Sequence, residues 1–221
     1  MDRINIAIDG PAGAGKSTIA RRIADKLGML YIDTGAMYRA VALKAVNNSF
    51  DTRDKDKVLS ILKDISINII HMNKEQHVLL DGKDVNMEIR TPEISIGASN
   101  VAVIPEVRLK LVQIQRKIAN NNDVVMDGRD IGSFVLPNAN LKIFLSASVD
   151  ERSNRRLKEL HEKNVNDISF EDVKNDIITR DKNDSTRNFA PLIKAEDAIE
   201  IDTTEMTIDE VVKKIISLIG K

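Results

Sequence analysis

The chain has 221 residues with 33 basic and 34 acidic side chains, a formal net charge of −1, so it has the length for one domain of ordinary core size and no overall positive field to attract a nucleic-acid backbone. Aromatic residues make up only 3 %, too few for base-stacking platforms, and the lack of cysteine excludes disulfides, thiolate catalysis and Cys-ligated zinc. His71, His77 and His161 show no metal-ligand spacing and read as surface or hairpin residues.

The apolar run Ile4 to Ile8 predicts a first strand ending at Asp9. It is too short for a signal peptide or a membrane span, so no membrane partner and a reducing, cytoplasmic compartment are expected. Next comes Gly10-Pro11-Ala12-Gly13-Ala14-Gly15-Lys16-Ser17, a complete G-x-x-x-x-G-K-[ST] phosphate loop. Its backbone N–H groups can wrap a phosphate because Gly10, Gly13 and Gly15 permit conformations closed to residues with a Cβ. Lys16 adds a charge at the β and γ oxygens, Ser17 offers a hydroxyl to Mg²⁺, and the helix that opens there aims its free N–H groups and positive dipole end at the same anion. A nucleotide triphosphate with Mg²⁺ is the expected ligand.

Ile19, Ile23 and Leu27 give that helix an apolar face, Gly28 suits its left-handed end, and Met29 to Asp33 form a second strand, completing a βαβ unit that calls for a parallel sheet. A second helix is expected from about Gly35, fading at Asn47-Asn48-Ser49. Between Ser66 and Val85 the pattern turns to short β-type runs, Ile67 to Ile70 and His77 to Leu80, with turns at Asn73-Lys74-Glu75 and Asp81-Gly82. Pro105 opens a helix whose apolar positions Val107, Leu111, Ile114 and Ile118 face one way while Arg108 points from another side. Asn120 to Asn122 end it.

Val124 to Met126 running into Asp127, and Leu141 to Leu145, are two more strands. Ser148 with Glu151 forms a capping-box pattern ahead of a basic helix with Arg152, Arg155 and Arg156. A second capped segment starts at Ser169 and leads to Arg180, Asp181, Asp184 and Arg187; Asn164 to Asp167 read as the turn between the two. Ala198 to Ile201 form a short last strand, and Thr207 with Glu210 cap a final helix. The whole predicts a doubly wound α/β core of about five parallel strands flanked by helices, with a small antiparallel insertion and a helical lid.

A phosphate loop alone does not separate a kinase from a GTPase switch or a motor. The guanine reader Asn-Lys-x-Asp has only a defective match at Asn73 to Gln76. Glycine and arginine follow Asp127 where a motor would carry paired acids. The supply of arginines near strand ends and from Arg152 to Arg187 favours phosphotransfer between two polyanions, which needs cations on both.

At this point five ordered blocks resemble those of the bacterial cytidylate (CMP) kinases: Gly10 to Thr18, Asp33-Thr34-Gly35-Ala36-Met37-Tyr38-Arg39, Ala98-Ser99 with Pro105 to Arg108, Asp127-Gly128-Arg129-Asp130-Ile131-Gly132, and Arg180 to Arg187. The resemblance runs from Ile4 to the final helix. It implies the nucleoside monophosphate kinase fold with the phosphate-loop core at about 1–60, 97–149 and 192–221, the monophosphate-binding insertion at about 61–96 and the lid at about 150–191. It further implies ATP on Gly10, Pro11, Ala12, Gly13, Ala14, Gly15, Lys16, Ser17 and Thr18. Arg39, Arg129 and Arg187 would clamp the CMP phosphate, Ser99, Arg108 and Asp130 would read cytosine, and Arg180 with Asp184 would reach the sugar; Thr34 and Tyr38 join the CMP site. Lys16, Arg129, Arg180 and Arg187 would be the catalytic cations.

The expected activity is ATP-dependent conversion of CMP and dCMP to their diphosphates by a monomer with no nucleic-acid partner. A kinase of broader UMP/CMP range, or a nucleotide sensor that transfers nothing, is the alternative. Plainer roles stand beside several residues. Arg180 and Asp184, four apart, also fit a surface ion pair, and Arg152, Arg155 and Arg156 fit a solvated helix face as well as a lid. Asp33 and Tyr38 fit a cap and a packing role, and Asp127 either orients Mg²⁺ through water or shapes its strand end.

Overall fold

The structure is a computed structural model that describes residues 3–72, 75–162, 165 and 167–219. In chain order the elements begin with β1 (Asn5–Asp9), α1 (Lys16–Leu27), β2 (Leu30–Asp33), α2 (Thr34–Asn47), α3 (Lys55–Leu62), β3 (Ile67–Met72), β4 (Glu75–Leu80) and β5 (Lys83–Asp84). A 3₁₀ turn (Glu88–Arg90), α4 (Pro92–Val101), α5 (Pro105–Asn121), β6 (Val124–Asp127), a π-helical turn (Ile131–Val135) and β7 (Leu141–Ser146) follow. The chain closes with α6 (Val149–Glu162), α7 (Phe170–Thr186), β8 (Ile199–Asp202) and α8 (Ile208–Ile216).

Five strands form a parallel sheet in the order β2-β6-β1-β7-β8, and β3-β4-β5 form a separate antiparallel sheet. The central strands β1 and β6 are buried on both faces, as cover by helices on two sides demands. Ile6 and Ile8 of β1 pack with α1 and α8, whereas Ala7 between them packs with Val112 and Ala119 of α5. Val125 of β6 joins the first cluster, and Val124 and Met126 join the second. The expected doubly wound arrangement is therefore present, with β1, β2 and β6 delivering Asp9, Asp33 and Asp127 to one carboxyl edge.

The caps fall close to where the sequence placed them. Gly28 ends α1 at φ 66° with its N–H on the Ala24 carbonyl, and Ser169 with Asp172 and Thr207 with Glu210 form reciprocal capping boxes. At Ser148 only half of the box exists, Glu151 N–H donating to Ser148 Oγ at 3.2 Å. Asp33 caps α2 one residue earlier than expected, accepting from Ala36 N–H at 3.0 Å. The Asp81-Gly82 turn has φ of 50° and 84°, the left-handed pair that a two-residue hairpin loop requires. Asn73 and Lys74 of the other expected turn, and Asn164 and Asn166 of the link before α7, lie outside the described residues.

Two helices, α3 and α4, were not foreseen; Asp54 caps the first and Thr91, with Pro92 behind it, caps the second. They pack with α2, α5 and the β3–β4 hairpin in a second apolar core around Met37, Val41, Val58, Val78, Ile89 and Val107. Arg108 is only 1 % exposed, so α5 buries a charge beside its apolar row. A third small cluster, Leu160, Val173 and Ile177, ties α6 to α7.

Gly10 gives the fold a direct test. Its φ is 148° and an added Cβ would lie 2.1 Å from the Leu145 carbonyl oxygen, whereas a Cβ on Gly28 meets nothing within 4 Å. Urea unfolding should show Gly28→Ala losing about 1 kcal/mol from its left-handed φ alone, and Gly10→Ala losing about 3 kcal/mol or more, because backbone must shift as well. Equal losses would mean that the loop does not press on β7.

Candidate active site

The phosphate loop spans the gap between β1 and α1, with Gly15 as the cap of α1 at φ 82°. Lys16 is 6 % exposed and its Nζ donates to the Pro11 carbonyl of its own loop at 2.7 Å. Burial, reinforced by the nearby Arg129 cation, lowers its pKa to about 7. Ser17 Oγ donates to Asp127 Oδ2 at 2.9 Å, Tyr31 OH donates to Asp127 Oδ1 at 2.9 Å, and Thr34 Oγ1 donates to the Asp127 carbonyl at 2.7 Å. Asp127 is thus fixed by three hydroxyls, and burial next to Asp33 raises its pKa to about 6. Asp9 receives Ile131 N–H and Gly132 N–H at 2.8 and 2.7 Å and shapes the π-helical turn behind Asp130; burial raises its pKa to about 6 as well.

A second group of cations faces the loop. Arg39 of α2 is held by Asp33 at 2.7 Å. Burial pushes Asp33 upward, but the Arg39 guanidinium and the cap bond outweigh it and hold this carboxyl below its usual range. Arg108 pairs with Asp130 at 2.5 Å, and Arg187 lies 3.5 Å from the same carboxylate and 3.4 Å from Asp184. Asp184 also accepts from Arg129 Nε at 2.7 Å. Burial raises the Asp184 pKa, yet Arg129 and Arg187 together leave it lowered. Tyr38 stacks under Arg108, 5.4 Å from ring centre to guanidinium carbon.

One cleft of about 950 Å³ receives both groups. Ala12, Gly13, Ala14, Gly15, Lys16, Ser17 and Thr18 line it, as do Thr34, Tyr38, Arg39, Ser99, Arg108, Arg129, Asp130, Arg180, Asp184 and Arg187. Gly10 and Pro11 sit behind this surface and supply backbone. One expected pairing is not formed: Arg180 makes its ion pair with Asp176 at 3.6 Å, while Asp184 serves Arg129 and Arg187. Burial and the Arg129 charge lower the pKa of Arg180.

The basic helix α6 divides its three arginines. Arg155 bonds Glu151 and Thr203, and Arg156 bonds Glu159, in partly buried positions along the cleft. Arg152 is buried and bonded to the Ala12 carbonyl and to Asp181, so it is no solvated face residue. Asp181 and Asp9 carry no role in the sequence reading; their signals were position alone, next to Arg180 and at the end of β1.

For a divalent cation, the paired Ser17 hydroxyl and Asp127 carboxylate are hard oxygen donors next to the loop. They fit Mg²⁺, which binds through one or two protein oxygens plus substrate phosphates. Among the described residues no cluster of three or more His, Cys, Asp or Glu side chains forms a separate metal cage.

A phosphate loop at the carboxyl edge of a doubly wound parallel sheet defines a phosphate-loop α/β protein. A solved structure of an uncharacterized protein from Eubacterium ventriosum ATCC 27560 shares this fold, with a TM-score of 0.53, 15 % identity and 99 % of each chain covered. The chain belongs to the cytidylate kinase family, whose family model matches residues 6–221. It is 52 % identical to the cytidylate kinase of Caldicellulosiruptor bescii over 221 residues, covering 100 % of this chain and 97 % of the relative. It is also 52 % identical to that of Clostridioides difficile strain 630 with full coverage of both, and 50 % identical to that of Lactobacillus johnsonii over 99 % of this chain and 94 % of the relative.

The Lys16 environment sets a pH dependence. With a pKa of about 7 before nucleotide arrives, the amine is increasingly neutral as pH rises, and a polyphosphate at its side favours the charged form. Binding of ATP therefore takes up a proton above pH 7, and affinity should fall by up to about tenfold per pH unit between pH 7 and 9. Calorimetry in buffers of different ionisation enthalpy should detect that uptake, and Lys16→Arg should flatten the profile. A flat wild-type profile would mean that Lys16 stays charged throughout.

Proposed function

We propose that this protein is an ATP:CMP phosphotransferase that converts CMP, and dCMP, to the diphosphates. The observation that carries the proposal is the cluster of Arg108, Arg129 and Arg187 on Asp130 and Asp184, facing a complete phosphate loop in one cleft of a chain from the cytidylate kinase family. ATP lies on Gly10 to Thr18, and CMP lies opposite with its phosphate between Arg39, Arg129 and Arg187. An oxygen of that phosphate attacks the γ-phosphorus, the bond to the β-phosphate oxygen breaks, and ADP leaves in line. The acceptor phosphate has a second pKa of about 6 and is already ionised, so no general base is needed.

Lys16, Arg129, Arg180 and Arg187 neutralise the charge spread over the moving group. Ser17, with Asp127 behind it, would hold Mg²⁺, which would supply further neutralisation of phosphate charge. Asp130 accepts from the cytosine N4 amino group, while Arg108 and Ser99 serve its acceptors; uracil presents a carbonyl to the carboxylate and is disfavoured. Arg180 and Asp184 reach the sugar. The segment from about 150 to 191 closes over both nucleotides and limits ATP hydrolysis by excluding water. Both subsites come from one chain, which supports action as a monomer on free nucleotides in the cytoplasm, with no nucleic-acid partner. No helix among the described residues is long and apolar enough to cross a membrane.

A coupled ADP-release assay with CMP, dCMP, UMP and AMP tests the reading directly. CMP and dCMP should react at least about tenfold faster in kcat/KM than AMP; equal rates on AMP and CMP would discard the role given to Asp130. Asp130→Asn, which keeps the shape of the site, should reduce the preference for CMP over UMP about tenfold or more while leaving KM for ATP near its original value. A change confined to ATP would place this carboxylate at the wrong end of the cleft. Lys16→Ala should lower kcat by about 10³ or more, and near-normal turnover would remove Lys16 from the mechanism.

A further inference from the structure

The apex of the phosphate loop is fastened at a single residue. Ala12 N–H donates to Asp181 Oδ1 at 3.1 Å, and the Ala12 carbonyl accepts from Arg152 Nη1 at 2.9 Å. The same Nη1 donates to Asp181 Oδ2 at 2.6 Å, and Arg152 Nε donates to the Ala147 carbonyl at 2.9 Å. A Cβ on Gly13 would come within 3.0 Å of Arg152 Cβ and of the Arg152 carbonyl oxygen, so the backbone of α6 rests directly on the loop. Loop, α6 and α7 therefore share one partly buried, charge-assisted junction.

Asp181 sits on α7 three residues before Asp184, about 4.5 Å along the axis. Asp184 holds Arg129 at 2.7 Å and faces Arg187 at 3.4 Å, which are the cations of the other subsite. The charge of Asp181 also acts on Arg129. One turn of helix thus ends on the phosphate loop at one side and on the acceptor cations at the other. A triphosphate entering the loop brings negative charge next to Asp181. The phosphate of the second nucleotide competes with Asp184 for Arg129 and Arg187. Either event changes the grip at one end of the same rigid turn.

We infer that Asp181, aligned by Arg152, is a positioning residue that couples the two nucleotide subsites, so that filling one raises affinity at the other. The inference rests on the CMP kinase reading and adds to it a residue pair outside the phosphate-binding groups. Arg180, next to Asp181 and loosely paired with Asp176, is the cation that gains most when the turn shifts toward two polyanions.

Calorimetric titration of CMP, with and without saturating AMP-PNP and Mg²⁺, reads the coupling without any catalysis. Wild-type protein should bind CMP about fivefold or more tightly with the analogue present, and by linkage CMP should tighten the analogue by the same factor. Asp181→Asn keeps the size of the side chain and an acceptor for Ala12 N–H but removes its charge and the second acceptor for Arg152. Its coupling should fall below about twofold, with Asp181→Glu restoring part of it, a rescue that general loosening of the fold does not produce. Independent binding in the wild type, or wild-type coupling in Asp181→Asn, overturns the inference. If Asp181→Asn is unfolded by circular dichroism, Arg152→Lys answers the same question, and unchanged coupling there overturns it too. Absence of ADP release with CMP in the assay above would defeat the kinase reading instead, so the two failures are distinct.

Discussion

Asp184 accepts from Arg129 and lies beside Arg187, and Asp130 joins Arg108 and Arg187; these buried carboxylates make the rest of the cleft possible. Guanidinium groups placed together for a phosphate repel one another in an apolar surrounding, where two like charges interact several times more strongly than in water. Interleaved carboxylates cancel that repulsion while the ligand is away and give each guanidinium a fixed orientation. A phosphate then has to compete for donors that are already aimed, and no side chain must be gathered from solvent. The arrangement trades some binding strength for preorganisation.

The acceptor side also depends on how the sheet ends. β2 is an edge strand, and its outer face would offer unpaired backbone groups to any passing strand. Side chains of the β3–β4 hairpin occupy it instead. His71 Nε2 meets the Tyr31 carbonyl at 2.9 Å, and the Gln76 amide takes both groups of Asp33, accepting from its N–H at 2.7 Å and donating to its carbonyl at 3.2 Å. Asp33 caps α2 with one oxygen and holds Arg39 with the other. The insertion therefore protects the edge and fixes a cleft-lining arginine through one residue.

Much of this was legible in the sequence because it is written locally. The phosphate loop, the parallel strands, the caps at Gly28, Ser169 and Thr207, and the Asp81-Gly82 turn each rest on neighbours within a few positions. α3 and α4 carried local signals too, in Asp54 and in Thr91-Pro92, but both are short and their apolar residues bury against a hairpin far along the chain. The tasks of the α6 arginines could not be read at all. Arg152, Arg155 and Arg156 share one helix and one composition, yet only Arg152 hydrogen-bonds the loop, because the side of α6 that meets Gly13 is set by where β7 ends. Arg180 and Asp184 had the spacing of an ion pair, but Arg180 pairs one turn back along α7 with Asp176, and Asp184 is drawn to Arg129, which tertiary structure brings close.

Among the described residues, Arg39 Nε, Arg108 Nε and Arg187 Nη2 are buried without a hydrogen-bond partner in the protein. A donor left in that condition costs about 1–3 kcal/mol, more when it carries charge, so three of them in one cleft work against the stability of the fold. Arg108 spends its other nitrogens on the Ala102 carbonyl and the buried Asp130 carboxylate, against the Tyr38 ring, so its orientation is fixed while Nε is left over. Their shared feature is that all three groups line the same cleft as the phosphate loop. Burial and the Arg108 charge lower the pKa of Arg187, a sign that its charged form is held under strain by its neighbours. Donors held this way lower the stability of the empty fold, and that free energy becomes available to any ligand whose acceptors meet them in the cleft.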